Sequence, residues 1–103
     1  MIVRVWRGRT PRDKADEYVD YLNRTGVHDY QNTAGNRGVE VHRRIVDDEA
    51  EFFVLSWWDS IEAVKGFAGE NHEDARYYDE DKDFLLEFEP KVKHFDLVSE
   101  VRN

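Results

Sequence analysis

There is no cysteine in this chain, which excludes disulfides, thiolate nucleophiles and cysteine-held zinc. Glycine-rich phosphate loops, nucleophile elbows and Cys/His clusters are also absent, and with them the usual routes to nucleotide binding, serine hydrolysis and zinc chemistry. No segment approaches the ~20 consecutive apolar residues of a membrane span. Basic charge is in deficit: 15 Lys and Arg face 23 Asp and Glu, a formal net charge of −8. That balance argues against nucleic acid or an anionic membrane as a partner, since both need a basic footprint. The first residues, MIVRVWRGR, enter a strand at once and carry arginines where a signal peptide needs an apolar run, so a soluble cytoplasmic protein is the expectation.

What is present is enough for one core. A chain of 103 residues with 40% hydrophobic residues reads as a single domain over residues 1–103. Repeats, low-complexity segments and inter-domain linkers are missing.

The pattern alternates between periods. Ile2 to Arg9 reads as a strand, with Val3 and Val5 set against Arg4 and charged neighbours. Thr10-Pro11 marks a helix start, with Thr10 as cap and Asp13 where a capping box wants an acid. Ala15, Tyr18, Val19 and Leu22 form the buried stripe of that helix, which weakens near Gly26 and leaves His28 to Gly38 as a connection. Val39 to Val46 and Glu51 to Trp58 are strands joined by an acidic turn. Ser60 then caps a helix bearing Ile61, Val64, Phe67 and Ala68, with Gly69 as its stop. Residues 70 to 89 are irregular, with short helical pieces around Ala75 and Phe84, and Lys91 to Val101 is a last strand. The order is βαββαβ, an α+β arrangement with two helices on one face of a four-stranded antiparallel sheet.

One strand sets the rest. In FFVLSWW, Phe52, Val54 and Trp58 project to one side and Phe53, Leu55 and Trp57 to the other. Two helices cover one face of a sheet, so a strand apolar on both sides needs a second layer. A homodimer with the sheets face to face is expected, because soluble monomers rarely expose so large an apolar patch. The end of the long last strand is expected to touch the partner.

The segments VRVWRGR, GNRGVEVHRR, WWDSIEAVKGFAGE, ARYYDEDKDFLLEFEP and KHFDLV, in that order, resemble the antibiotic-biosynthesis-monooxygenase-like family of the dimeric α/β-barrel superfamily. The resemblance runs nearly end to end. It implies a ferredoxin-like protomer, a barrel made of two sheets across a homodimer, and a pocket between sheet and helices. The superfamily includes cofactor-free monooxygenases, haem-degrading enzymes, isomerases and members without known chemistry, so the fold does not select an activity.

Within that frame, His94 on the last strand is the candidate base, since a histidine beside an apolar pocket takes a proton near neutral pH. Its alternative is a strand histidine hydrogen-bonded at the dimer interface. Arg76 and Tyr78 are candidate anion stabilisers. Of the adjacent Tyr77 and Tyr78 at most one should reach inward, the other packing against Leu85 or Phe88. Trp6, Phe67 and one of Trp57 and Trp58 are candidate walls for a small aromatic substrate. His72 follows the second helix where haem-degrading relatives place an iron ligand, but Glu70, Glu73 and Asp74 crowd it, which favours a solvated loop histidine. The run Asp79, Glu80, Asp81, Asp83 lacks the glycine and glutamate of a calcium loop and reads as a solvated turn. His28 and His42 have no partner at metal-ligand spacing and are surface residues. No metal and no cofactor are called for. The leading expectation is a cofactor-independent monooxygenase-like protein for a phenol, quinol or anthrone. The alternatives are a haem-degrading enzyme and a non-catalytic dimer that binds a small molecule.

Overall fold

A computed structural model describes residues 1–103. The strands β1 (Ile2–Pro11), β2 (Asn36–Val46), β3 (Glu49–Trp58) and β4 (Lys93–Asp96) form one sheet in the order β2-β3-β1-β4, every neighbouring pair antiparallel. The helices α1 (Ala15–Arg24), α2 (Gly26–Gln31) and α3 (Ile61–Ala68) pack on one face. This is the ferredoxin-like α+β arrangement. All ten residues of β1 pair with β3, from Ile2 opposite Trp58 to Pro11 opposite Glu49. β2 and β3 form a hairpin whose turn puts Asp47 at φ 54°, a left-handed conformation that Asp tolerates better than most side chains.

Period-two alternation decides which residues meet the helices. From β3 these are Ala50, Phe52, Val54, Ser56 and Trp58, all buried; Phe53, Leu55 and Trp57 are half-buried on the open face. Tyr18 sits at the centre of the core, edge-on to Phe52 with ring centres 5.2 Å apart and stacked on Tyr21 at 5.8 Å. Trp58 is completely enclosed, edge-on to Tyr30 at 5.7 Å, with its Nε1 donating to Ser56 Oγ at 2.9 Å. Ser60 caps α3 by accepting from the Ala63 amide at 3.1 Å, and Gly69 ends it at φ 87°.

Several sequence expectations need correction. Thr10 does not cap: β1 continues through Pro11, the Thr10 hydroxyl donates to the Pro11 carbonyl at 2.9 Å, and a 3-10 turn over Arg12–Lys14 precedes α1. The buried stripe of α1 contains Tyr21, and Val19 is half-buried. The connection after α1 contains α2, which buries Tyr30. α1 does end near Gly26, its path interrupted at Thr25 with φ −113° and ψ −93°, but a second helix starts at Gly26 itself. Ala75 lies beside an isolated bridge between Asp74 and Lys91 instead of in a helical piece, while the 3-10 segment Asp79–Asp83 leads into Phe84. The last strand stops at Asp96 because β1 has no residue left to pair with it; the Leu97 amide reaches the Met1 carbonyl at 3.0 Å, and Val98 and Val101 are exposed. In β1 the helix-side face, which carries Trp6, also carries an arginine. Arg4 faces the core at 1% exposure, whereas Val3 and Val5 lie half-buried on the open face.

Candidate functional site

A cleft of about 460 Å³, counted with its open mouth, lies between the sheet and the helices. The space enclosed within it is only about 40 Å³, far below the roughly 300 to 1,000 Å³ of small-molecule sites, so a ring-sized ligand needs the walls to part. Its floor is Arg4, Trp6 and Val54 from the sheet; Tyr18 and Leu22 of α1, Val27 and Tyr30 of α2, and Phe67 of α3 form the walls. The segment after α3 adds Arg76, Tyr77, Tyr78 and Asp81.

Each side chain is held. Trp6 lies over Gly8, where any Cβ would come within 2.2 Å of the indole, so glycine is what lets the ring lie flat along the strand. Its Nε1 donates to the Tyr77 hydroxyl at 3.2 Å, and Tyr77 donates in turn to the Glu89 carbonyl at 2.6 Å. Arg76 donates to the Phe67 carbonyl at 3.1 Å while its guanidinium lies 4.8 Å from the Phe67 ring centre and 5.2 Å from that of Tyr78. Asp29 of α2 ties this corner together, accepting from the Tyr78 hydroxyl and sitting 3.5 Å from Arg76. The Tyr78 hydrogen bond, with help from Arg76, holds the Asp29 carboxyl below the usual range; burial and the same carboxylate push the Tyr78 phenol up.

Asp81 is the residue the sequence reading misses. Expected in a solvated turn, it is 4% exposed and lines the cleft. Its carboxylate accepts from the Tyr18 hydroxyl at 3.0 Å and from the Tyr78 amide at 2.7 Å, and forms no ion pair. Burial raises its pKa more than these two donors lower it. Nothing local marks Asp81 out, because its hydroxyl partner is 63 residues away.

The sequence candidates divide. Trp6, Phe67, Arg76 and Tyr78 share the cleft, and Tyr77 lines it too, so both tyrosines of the pair reach inward, with Tyr77 also edge-on to Phe88 at 4.8 Å. Trp58 lies on the helix side beneath Phe67 and Tyr30 but is shut away from the cleft, and Trp57 is on the open face. His94 does not line the cleft. It stands opposite Arg4 across the β1–β4 pair, and its Nε2 accepts from Arg4 Nη1 at 3.1 Å. Arg can only donate, so the proton of this imidazole is on Nδ1, which is buried without a partner. Burial, then the charge of Arg4 and the neighbouring His72, lowers the His94 pKa to about 4. His94 as the base is therefore corrected on geometry: its free lone pair is already engaged, and the ring resists a proton. His72 is half-buried, edge-on to His94 at 5.2 Å, and also outside the cleft. No cleft-lining side chain is an imidazole, so the cleft offers no histidine ligand for haem iron.

The comparisons match this geometry to known folds. A protein from Mycobacterium tuberculosis described as the haem degrader MhuD, solved with two haems in its active site, is 20% identical, with TM-score 0.66, over 99% of this chain and 100% of its own. A candidate antibiotic biosynthesis monooxygenase from Bacillus cereus is 16% identical, with TM-score 0.68, over 100% of this chain and 98% of its own. The protein Rv0793 from Mycobacterium tuberculosis is 18% identical, with TM-score 0.58, over 99% and 100%. At these identities the likeness is one of fold. No curated protein sequence matches the chain. The family model described as antibiotic biosynthesis monooxygenase matches residues 1–75, from β1 past α3 and thus most of the sheet and its helices; this chain is a member of that family.

Proposed function

We propose that the protein is a cofactor-independent monooxygenase acting on a small phenol, quinol or anthrone held in the aromatic cleft. The observation that carries this reading is the gathering of Arg76 and Tyr78 with Trp6 and Phe67 in one concavity. In such chemistry the substrate supplies the electrons. Loss of a proton gives an electron-rich anion, which passes an electron to dioxygen; the two radicals join as a substrate peroxide, and loss of water leaves a new carbonyl. For an anthrone the methylene becomes a carbonyl, with one oxygen atom retained and the other released as water. The protein need only take the proton, hold the anion and keep the site dry. Arg76 stabilises the anion, joined by the Tyr78 hydroxyl once its proton turns from Asp29 to the substrate, and Trp6 and Phe67 stack on its rings. Asp81 takes the proton, a role suited to a buried carboxylate with a raised pKa and no cation beside it.

The working unit in this reading is a homodimer. Val3, Val5, Phe53, Leu55 and Trp57 form an apolar band on the open face, with Phe95 of β4 exposed beside it. Next to the band lies a ladder of ion pairs in which Glu51 accepts from Arg7 at 2.7 Å and Arg44 at 2.5 Å. A second sheet laid on this band covers it and builds the barrel. Oxygen uptake with an anthrone substrate tests the activity. Consumption above the spontaneous rate supports it; none makes the protein a binding dimer.

A further inference from the structure

Arg4 stands apart from the other cleft arginine. Arg76 has its carboxylate in Asp29, as Arg7, Arg9, Arg37 and Arg44 have theirs in Glu or Asp. Arg4 has none. Its guanidinium donates to the His72 carbonyl at 2.6 Å and the Asp74 carbonyl at 3.1 Å, and meets the neutral ring of His94. Its Nε is buried without a partner. A guanidinium remains charged at any pH a protein survives, and a buried charge calls for a counter-charge. The carbonyls fix the orientation of the fork and contribute dipoles, but they carry no net charge. At 1% exposure water cannot supply the remainder.

The surroundings say what can. Arg4 lines the cleft with its guanidinium carbon 5.6 Å from the Phe67 ring centre, the same ring that Arg76 covers. The one carboxylate lining the cleft, Asp81, is directed to the Tyr18 hydroxyl and the Tyr78 amide. A flat ligand that parts the cleft walls and lies against Phe67 with an anionic group toward Arg4 would complete the pair. We infer that the cleft selects planar aromatic anions, arylcarboxylates in the simplest case, with Arg4 as the counter-ion. This rests on the reading of the cleft as a substrate site and adds to it that the substrate arrives charged.

Titration calorimetry with 2-naphthoate and 2-naphthamide, which share a ring system and differ in charge, tests it. The wild-type protein should bind the acid at least about tenfold more tightly than the amide. Arg4→Met should bring the two affinities together without weakening the amide, and Arg76→Met should keep the preference. Equal affinities in the wild type, no binding of either probe, or a preference that survives Arg4→Met would overturn the inference. So would inorganic phosphate displacing naphthoate at equal concentration, which would make this a bare anion site. If Arg4→Met does not fold, the wild-type ratio and the Arg76→Met ratio still decide. Oxygen uptake on a neutral anthrone with no preference for naphthoate would sink this inference and leave the catalytic reading; naphthoate preference without uptake would do the reverse.

Discussion

Arg4 and His94 face each other across the β1–β4 pair, and the 3.1 Å contact between them holds His94 as a neutral acceptor. That contact has a signature in stability. The folded imidazole resists a proton down to about pH 4, while the unfolded one takes it near 6.5. Between those values the unfolded chain binds more protons, so stability rises with pH through the window and is lost on acidification. The effect should be about 1–2 kcal/mol once solvent screening is allowed for. His94→Gln, which keeps an acceptor for Arg4 but does not titrate, should flatten the profile between pH 4 and 6.5. Denaturant unfolding across that range is the check, and an unchanged slope in the variant would count against it.

The pH dependence of activity should report a different group. Asp81 must be ionised to accept a proton, so turnover should fall as pH drops through its raised pKa. The Tyr18 hydroxyl stabilises the ionised form, and Tyr18→Phe should therefore shift the acid limb upward. Asp81→Asn should cost about 10²–10⁴-fold in turnover, as loss of a general base does. An acid limb that stays in place in Tyr18→Phe would exclude Asp81.

Gly8 is where the cleft floor is most sensitive. An alanine methyl there would come within 2.2 Å of one indole carbon of Trp6 and 2.6 Å of another. The ring must move, breaking its bond to Tyr77 and narrowing the cleft. Gly8→Ala should cost about 1–3 kcal/mol, as overpacking does, and should weaken aromatic ligands. Thermal unfolding and ligand titration would show both; an unaltered protein would mean that the ring has room to shift.

The paired tryptophans should separate folding from assembly. Trp58→Ala empties an enclosed site and should cost about 3–5 kcal/mol of protomer stability. Trp57→Arg changes the open face and should leave a folded protomer by circular dichroism while splitting the dimer. Light scattering over a dilution series decides. A wild-type monomer at micromolar concentration, or a Trp57→Arg variant that still pairs, would remove the dimer from the account.

The sequence makes the fold legible because FFVLSWW alternates between a buried helix-side face and an apolar open one, and Ser60 and Gly69 bracket α3. Arg4 shows what stays hidden. The Val/Arg alternation does not say which face the helices cover, and Arg4 is held inside by carbonyls 68 and 70 residues away, which no local pattern encodes. Asp81 is hidden for the same reason: an acidic run looks solvated until Tyr18 arrives from another element. Trp6, Phe67, Arg76 and Tyr78 are readable because they sit on β1, in α3 or shortly after it, whereas Tyr30 is not, since α2 reads as a connection. The end of β4 is not, since its length is set by where β1 runs out and not by its own residues.

The central claim is that Arg76 and Tyr78 stabilise a substrate anion and that His94 does not remove its proton. Oxygen consumption with an anthrone substrate, compared among the wild type, the Arg76→Met/Tyr78→Phe double variant and His94→Gln, tests it most directly. The account predicts wild-type uptake well above the spontaneous rate, at least about a hundredfold loss in the double variant, and a rate within about threefold of wild type in His94→Gln. No uptake by the wild type, full uptake in the double variant, or collapse of activity in a folded His94→Gln would contradict it.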